Sequence, residues 1–174
     1  MLKELFMLKP FFEDPAKTYS AREVARITGI SHITVGKRLN QYSFIKRSDY
    51  GPYLGFKAVK NDEFIHLRQM YNLQKLRESG IIEKISDFYD VPTIVLFGSY
   101  ATATNNADSD VDLAIISTHK REMDTKEIDG LLNRKVHLLV YTQKDVTKMK
   151  KENPELLNSI CNGIVLQGEL EVFI

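Results

Sequence analysis

The spacing of apolar and polar residues predicts two short helices near the start of the chain. The first is predicted to begin at Ser20, which can form a capping box with Glu23, and to end at Gly29. The second is predicted to follow Ser31, a residue type that favours the N-cap position. The apolar positions expected to face inward are Val24, Ala25 and Ile27 in the first helix and Ile33, Val35 and Leu39 in the second. Two helices in this arrangement form a helix-turn-helix pattern.

A β-hairpin is predicted from Phe44 to Val59, because two strand-like runs flank the turn signal Asp49-Tyr50-Gly51-Pro52. A longer helical pattern follows it, with apolar residues at Phe64, Ile65, Leu67, Met70, Tyr71, Leu73 and Leu76. Gly80 interrupts this pattern. We expect the segment to be a linker helix that can also offer a homodimer surface.

Beyond Gly80 the pattern predicts a helix and then alternating strands and helices. A strand, "TIVLFG", follows Pro92 and ends at Gly98-Ser99, where glycine lets the backbone turn sharply and approach a ligand. Further strands are predicted for "VDLAII" and for "KVHLLVYT", residues 135–142. A polar helix, a helix after Pro154 and a closing strand complete the chain, and Cys161 is expected to be buried in the last helix.

Three aspartates, Asp108, Asp110 and Asp112, stand two apart directly before the strand "VDLAII". Because side chains alternate along a strand, Asp110 and Asp112 are expected to project from one face, opposite the apolar residues. Two carboxylates on one spot repel each other unless a cation lies between them, so the pattern favours a divalent metal site. Asp108 is expected to be a turn residue instead of a ligand.

The stretch from Gly98-Ser99 through ten residues to Asp110-Val111-Asp112 matches GSx10DxD, the signature of the polymerase β-like nucleotidyltransferase superfamily. Over residues 80–174 the chain resembles the minimal, MNT-type members of that superfamily. The resemblance implies a mixed sheet flanked by helices, with Gly98 and Ser99 holding the triphosphate of an NTP. It also implies that Asp110 and Asp112 bind Mg²⁺ or Mn²⁺. Minimal members often pair with a small helical HEPN protein, so a HEPN-type partner is an expectation too.

At His137 the chain differs from the usual pattern of that superfamily. Val136, Leu138 and Val140 are predicted to face the core, so His137 is predicted to point to the aspartates. Superfamily members that are active in transfer usually carry a third carboxylate there. Three interpretations stay open: His137 is a general base, the site binds a nucleotide or metal without catalysing, or the imidazole only covers the sheet surface.

Charge divides the chain into two halves although the total is only +1. Residues 1–77 carry a net charge of +7 and residues 78–174 a net charge of −6. A basic half joined to an acidic half favours two domains with different partners, one of them a polyanion.

The basic half, from about Leu2 to Lys60, resembles the winged helix-turn-helix domains of bacterial and archaeal transcription regulators. The resemblance implies that the second helix enters the major groove of double-stranded DNA and that the hairpin contacts the backbone. The residues expected to contact DNA are His32, Thr34, Lys37, Arg38, Lys46, Arg47 and Lys57. The alternative is a protein-protein adaptor, since winged-helix modules also serve that role.

Composition excludes several other classes of protein. No apolar run approaches the ~20 residues of a membrane helix. Lysines interrupt the apolar N-terminus, so a signal peptide is not expected. We expect a cytoplasmic protein. The single cysteine rules out an internal disulfide, and His/Cys clustering of the structural zinc type is absent from the sequence.

Together these patterns predict an α/β (α+β) protein with three parts: a winged helix-turn-helix domain over 1–60, a linker helix over 61–79 and a nucleotidyltransferase domain over 80–174. The leading functional hypothesis is a DNA-binding protein that transfers a nucleoside monophosphate from Mg-NTP to a hydroxyl of an unknown acceptor. The alternative is a DNA-binding transcriptional regulator whose nucleotidyltransferase-like domain is noncatalytic, as a nucleotide sensor or an antitoxin-like module.

Overall fold

A computed structural model describes residues 2–172 of the chain. The chain divides into two compact units, Met1–Tyr71 and Asn72–Ile174. The elements up to the boundary are α1 (Leu2–Glu13), β1 (Thr18–Ser20), α2 (Ala21–Thr28), α3 (His32–Leu39), β2 (Ile45–Tyr50) and β3 (Tyr53–Ala58), and α4 (Asp62–Glu78) contains the boundary. The domain limits expected from the sequence, at residues 60 and 80, stay a prediction.

The C-terminal unit continues with α5 (Ile81–Phe88), β4 (Thr93–Phe97), α6 (Gly98–Ala101), β5 (Val111–Ile116), α7 (Lys126–Leu132), β6 (Val136–Tyr141), α8 (Gln143–Glu152), α9 (Pro154–Cys161) and β7 (Ile164–Gln167). Within residues 2–172, none of the helices combines the length and the apolar character needed to cross a membrane.

The N-terminal unit packs its helices on a small antiparallel sheet with the strand order β1-β3-β2. The predicted capping box at the start of α2 is present: the Ser20 N–H donates to Glu23 Oε2 (2.8 Å), and the Glu23 N–H donates to Ser20 Oγ (3.2 Å). Gly29 ends the helix at a φ of +69°, which a residue without a Cβ adopts without strain. The predicted hairpin forms as β2 and β3 around Gly51 and Pro52.

Two side chains that were predicted to face inward are exposed. Ile27 is 45% exposed and Ile33 is 60% exposed, although Val24, Val35 and Leu39 are fully buried. An eight-residue helix buries only a narrow stripe, and successive residues are rotated by about 100°. Ile33 therefore lies on the side of α3 opposite Val35. In α2 the stripe is completed by Thr28, whose hydroxyl donates to the carbonyl of Val24 (2.7 Å).

The C-terminal unit is built on a mixed sheet with the strand order β6-β5-β4-β7. β4 pairs with β5 and β7 in antiparallel fashion, whereas β5 and β6 are parallel. Helices α5 and α7 pack on one face and α8 and α9 on the other. The expected mixed sheet flanked by helices is thus observed. Cys161 is exposed instead of buried, because α9 turns Leu157 and Ile160 toward the sheet and Cys161 lies beside that stripe.

Helix α8 begins with a second capping box, formed by Thr142 and Asp145. The Thr142 hydroxyl (2.7 Å) and N–H (2.8 Å) both donate to Asp145 Oδ2, and Lys120 Nζ lies 3.1 Å from the same oxygen. These contacts, the Thr142 hydroxyl first among them, lower the pKa of Asp145 from 3.8 to about 2.

We expect Asp145→Ala to lower the free energy of unfolding of the C-terminal unit by about 1 kcal/mol at neutral pH, because the cap loses its acceptor. Since the carboxyl has a lower pKa in the folded chain, its contribution is present above pH 4 and is lost as the pH falls toward about 2. Urea unfolding followed by circular dichroism at pH 7 and at pH 3 checks both points. Lys144→Ala, at an exposed neighbour on α8, is the control, and equal stability of Asp145→Ala and wild type at pH 7 would contradict the expectation.

Candidate functional site

Asp110 and Asp112 project from one face of the mixed sheet, beside the start of β5. Asp110 directly precedes the strand, and Asp112 lies in it, paired with Phe97 of β4 and with His137 of β6. Val111, Leu113 and Ile115 point the other way and are fully buried. The alternation inferred from the sequence is therefore present, and it brings the two carboxylates together.

The aspartates lie at an open end of their sheet face. Ala114, two residues further along the same face of β5, is fully buried in the cluster that α8 and α9 form with the sheet. The side chain of Asp112 is still 30% exposed and that of Asp110 36% exposed. The helices thus cover only the later part of β5 on this face, and both carboxylates remain accessible to a ligand from solvent.

Gly98 brings the main chain at the end of β4 against the Asp112 carboxylate. Its φ is +68°, and a Cβ built on it would lie 2.5 Å from Asp112 Oδ2. A side chain at this position would meet both backbone strain and the carboxylate. The glycine of the Gly-Ser turn is therefore required here by conformation and by close approach.

His137 lies between the two carboxylates. Its Nε2 is 3.4 Å from Asp110 Oδ2, and its Nδ1 is 3.4 Å from Asp112 Oδ1. The imidazole is 47% exposed, so it also faces solvent. Both ring nitrogens can donate to the two carboxylates only when the imidazole is protonated. The ring thus lies within reach of both carboxylates at once.

Burial and neighbouring charges both affect the Asp112 carboxyl. Burial raises the pKa of the Asp112 carboxyl above its ordinary value, the nearby Asp110 carboxylate raises it further, and His137 partly opposes this rise. A cation bound by both carboxylates would favour their ionised forms.

The donor set suits a hard divalent cation that keeps several other ligands. Mg²⁺ is commonly held by one or two carboxylates together with water and substrate phosphates. Among residues 2–172 there is no group of three or more His, Cys, Asp or Glu side chains that could hold a metal ion unaided. Two accessible carboxylate side chains fit a metal that keeps several non-protein ligands better than a fully protein-bound ion.

Two buried asparagines that the sequence pattern did not single out, Asn72 and Asn105, contact the segment that follows the Gly98 turn. They are 2% and 6% exposed. A signal for Asn72 was available, because Phe64, Arg68, Asn72 and Leu76 repeat every four residues in α4 and are all buried. Asn105 lies in a loop, where no periodicity marks it.

Asp108 lies in the exposed turn before β5, where its N–H donates to Asn106 Oδ1 (2.9 Å).

The candidate DNA-contacting residues all lie in the N-terminal unit. On α3, His32, Lys37 and Arg38 are exposed and Thr34 is half-buried. On the hairpin, Lys46, Arg47 and Lys57 are exposed, with Lys46 opposite Lys57 in the strand register. Arg47 Nε donates to Asn40 Oδ1 (2.9 Å), so its guanidinium is oriented toward the end of α3.

Comparison with known protein families gives a match over the C-terminal part of the chain. The family described as "Polymerase beta, Nucleotidyltransferase" matches residues 79–170, which is more than half of the chain and includes the Gly-Ser turn, both aspartates and His137. No match to the chain was found among curated proteins.

Proposed function

Because the chain belongs to the polymerase beta nucleotidyltransferase family, we propose that its C-terminal unit transfers a nucleoside monophosphate from an NTP to a hydroxyl of an acceptor. The observation that carries this proposal is the accessible carboxylate pair of Asp110 and Asp112, with the Gly98 turn packed against it. The reaction forms a bond between the acceptor oxygen and the α-phosphorus and breaks the bond from that phosphorus to pyrophosphate.

Each residue has a defined part in this proposal. Asp110 and Asp112 would hold Mg²⁺ or Mn²⁺, which when bound neutralises charge on the phosphates. Gly98 and Ser99 would bind the triphosphate, since the glycine leaves room for the main chain to approach it. His137 would accept the proton of the acceptor hydroxyl on an imidazole nitrogen, since the ring lies beside both aspartates and is exposed to solvent.

Labelled nucleotides test the reaction itself. Each of the four NTPs, labelled at the α-phosphate, is incubated with the protein, Mg²⁺ or Mn²⁺ and cell extract, and the macromolecular fraction is analysed for label. We expect label from one or more NTPs to be transferred. NTP labelled at the γ-phosphate is the matched control and should transfer none, because that phosphate leaves with pyrophosphate. Transfer of the γ-label alone would point to a kinase and contradict the proposal.

The role of His137 separates an enzyme from a noncatalytic sensor. We expect His137→Ala to lower the rate of transfer by about 10²- to 10⁴-fold while NTP affinity stays within a few-fold, because a general base acts on the acceptor and not on the triphosphate. His137→Asp should retain transfer, since a carboxylate can also accept the proton. Single-turnover rates and calorimetric Kd values for the three proteins measure this.

Two outcomes would contradict that role. A wild type without transfer together with an active His137→Asp would favour the sensor function. An active wild type whose rate is unchanged in His137→Ala would mean that the base comes from elsewhere.

For the N-terminal unit we propose a winged helix-turn-helix domain that binds double-stranded DNA and regulates transcription. Its support is the orientation of α3, which buries Val35 and Leu39 and leaves Ile33, Lys37 and Arg38 exposed. An exposed aliphatic side chain one helical turn from Lys37, on a helix that also exposes Arg38, suits a DNA groove, where apolar groups contact thymine methyls and cations contact phosphates. The net charge of +5 over residues 1–71, from 12 Lys and Arg against 7 Asp and Glu, agrees with a polyanionic partner. A cytoplasmic location, a homodimer and a HEPN-type protein partner stay predictions.

A further inference from the structure

The side chain of Asn72 on α4 joins two points of the segment that follows the Gly98 turn. Its Nδ2 donates to the Tyr100 carbonyl and to Asn105 Oδ1, both at 3.0 Å. The main chain of the same segment is closed by Ser99, whose carbonyl accepts hydrogen bonds from the N–H groups of Thr104 (2.9 Å) and Asn105 (3.2 Å). These two side-chain contacts of Asn72, here called the amide brace, thus connect α4 to both ends of the Ser99–Asn105 segment.

The conformation of this segment requires support from outside. α6 has only four residues, and a helix of one turn is not stable by itself in water. Ala103 has a φ of +54°, which costs energy for a residue with a Cβ and persists only where the surroundings enforce it. Both asparagines of the amide brace are buried, Asn72 being 2% exposed and Asn105 6% exposed. Water therefore does not compete for the hydrogen bonds of the brace.

We propose that Asn72 is a positioning residue for nucleotide binding: by holding Tyr100 and Asn105 it keeps Gly98 and Ser99 in the conformation that receives the triphosphate. This inference rests on the proposed function of the C-terminal unit and adds a residue outside the signature motif. A helix residue that donates to a main-chain carbonyl and to a side-chain amide oxygen leaves no trace in the Gly-Ser and Asp-Val-Asp pattern.

The test compares wild-type protein with Asn72→Leu, which has a similar volume and no N–H donor, and with Asn105→Ala, which removes the side-chain acceptor. Calorimetry gives the Kd for ATP, GTP, CTP and UTP with Mg²⁺ at a temperature where all variants are folded. We expect the Kd of the NTP that binds tightest to rise about tenfold in Asn72→Leu, because Tyr100 and Asn105 lose the two hydrogen bonds that tie the segment to α4. In the nucleotide-free variant, the amide hydrogens of Thr104 and Asn105 should exchange faster with solvent.

A core variant separates positioning from a general loss of stability. Ile160→Val, at a buried position of α9 in a hydrophobic cluster that includes none of residues 99–105, lowers stability away from the segment and should leave the Kd unchanged. An equal rise of Kd in Ile160→Val would overturn the inference, and so would unchanged NTP binding in Asn72→Leu. If Asn72→Leu does not fold, the same comparison is made with Asn105→Ala. A wild type that binds no NTP would instead overturn the proposed function, and the positioning role with it.

Discussion

Replacing both Asp110 and Asp112 with asparagine is expected to reduce transfer of an α-labelled nucleoside monophosphate by roughly 10³- to 10⁴-fold. The reason is that a divalent metal stabilises phosphoryl-transfer charge by several kcal/mol, and amides bind such a metal much more weakly than carboxylates. The fold should be preserved, because the substitution removes two neighbouring negative charges from partly exposed positions. Single-turnover transfer with Mg²⁺ measures the effect.

Asp108→Asn is the matched control for this pair. It removes one negative charge from the exposed turn just before the strand, where Asp108 makes a main-chain contact with Asn106, and it should leave transfer unchanged. Calorimetry adds a second measurement: Mg²⁺ should strengthen ATP binding to wild type and to Asp108→Asn but not to Asp110→Asn. The metal assignment would be wrong if Mg²⁺ strengthened ATP binding by the same factor in the double variant and in the wild type.

Reversing the charges of Lys37 and Arg38 to glutamate is expected to weaken binding of duplex DNA by roughly a hundredfold at low salt. Each lost phosphate contact also lowers the slope of log K against log salt by about 0.9, so the slope should fall by roughly 2. Both side chains are exposed on α3, and Val35 and Leu39 hold the helix, so the variant should fold normally. Fluorescence anisotropy of a labelled duplex at several salt concentrations measures both quantities.

Lys144→Glu with Lys148→Glu provides the control for net charge, because it makes the same change of charge at exposed positions of α8 in the C-terminal unit. That variant should bind DNA nearly as well as wild type. Absence of DNA binding by the wild type at low salt would favour a protein-protein adaptor instead. Equal weakening by both pairs would show that overall charge, and not α3, governs the interaction.

Several features of this chain follow from local sequence because they depend on neighbouring residues alone. Capping by Ser20 and Glu23 was predictable, since the partners are three residues apart and the geometry of a helix start brings them together. The shared face of Asp110 and Asp112 was predictable for the same reason, because a strand alternates its side chains whatever it packs against. The spacing between the Gly-Ser turn and these aspartates also indicates the family, because residue types at fixed separations are a property of the sequence itself.

Burial in short helices could not be predicted in the same way. In α3 the apolar residues Ile33, Val35 and Leu39 do not all fit one stripe, and periodicity alone does not say which of them faces the core. The choice was made by the packing of the whole unit, which buries Val35 and Leu39 and leaves Ile33 exposed. In α9, the packing of the unit likewise left Cys161 exposed to solvent.

The site itself depends on both the local sequence and the tertiary structure. Sequence alone determined the residue types, the Gly-Ser turn and the direction of the two carboxylates. Only the tertiary structure decided that the His137 ring lies 3.4 Å from each of them, because this requires the parallel register of β5 with β6, in which Asp112 pairs with a residue 25 positions later. It also decided that Asn72 reaches Tyr100 and Asn105, which are 28 and 33 positions away. Contacts at such separations form when strands and helices pack, and no short-range pattern encodes them.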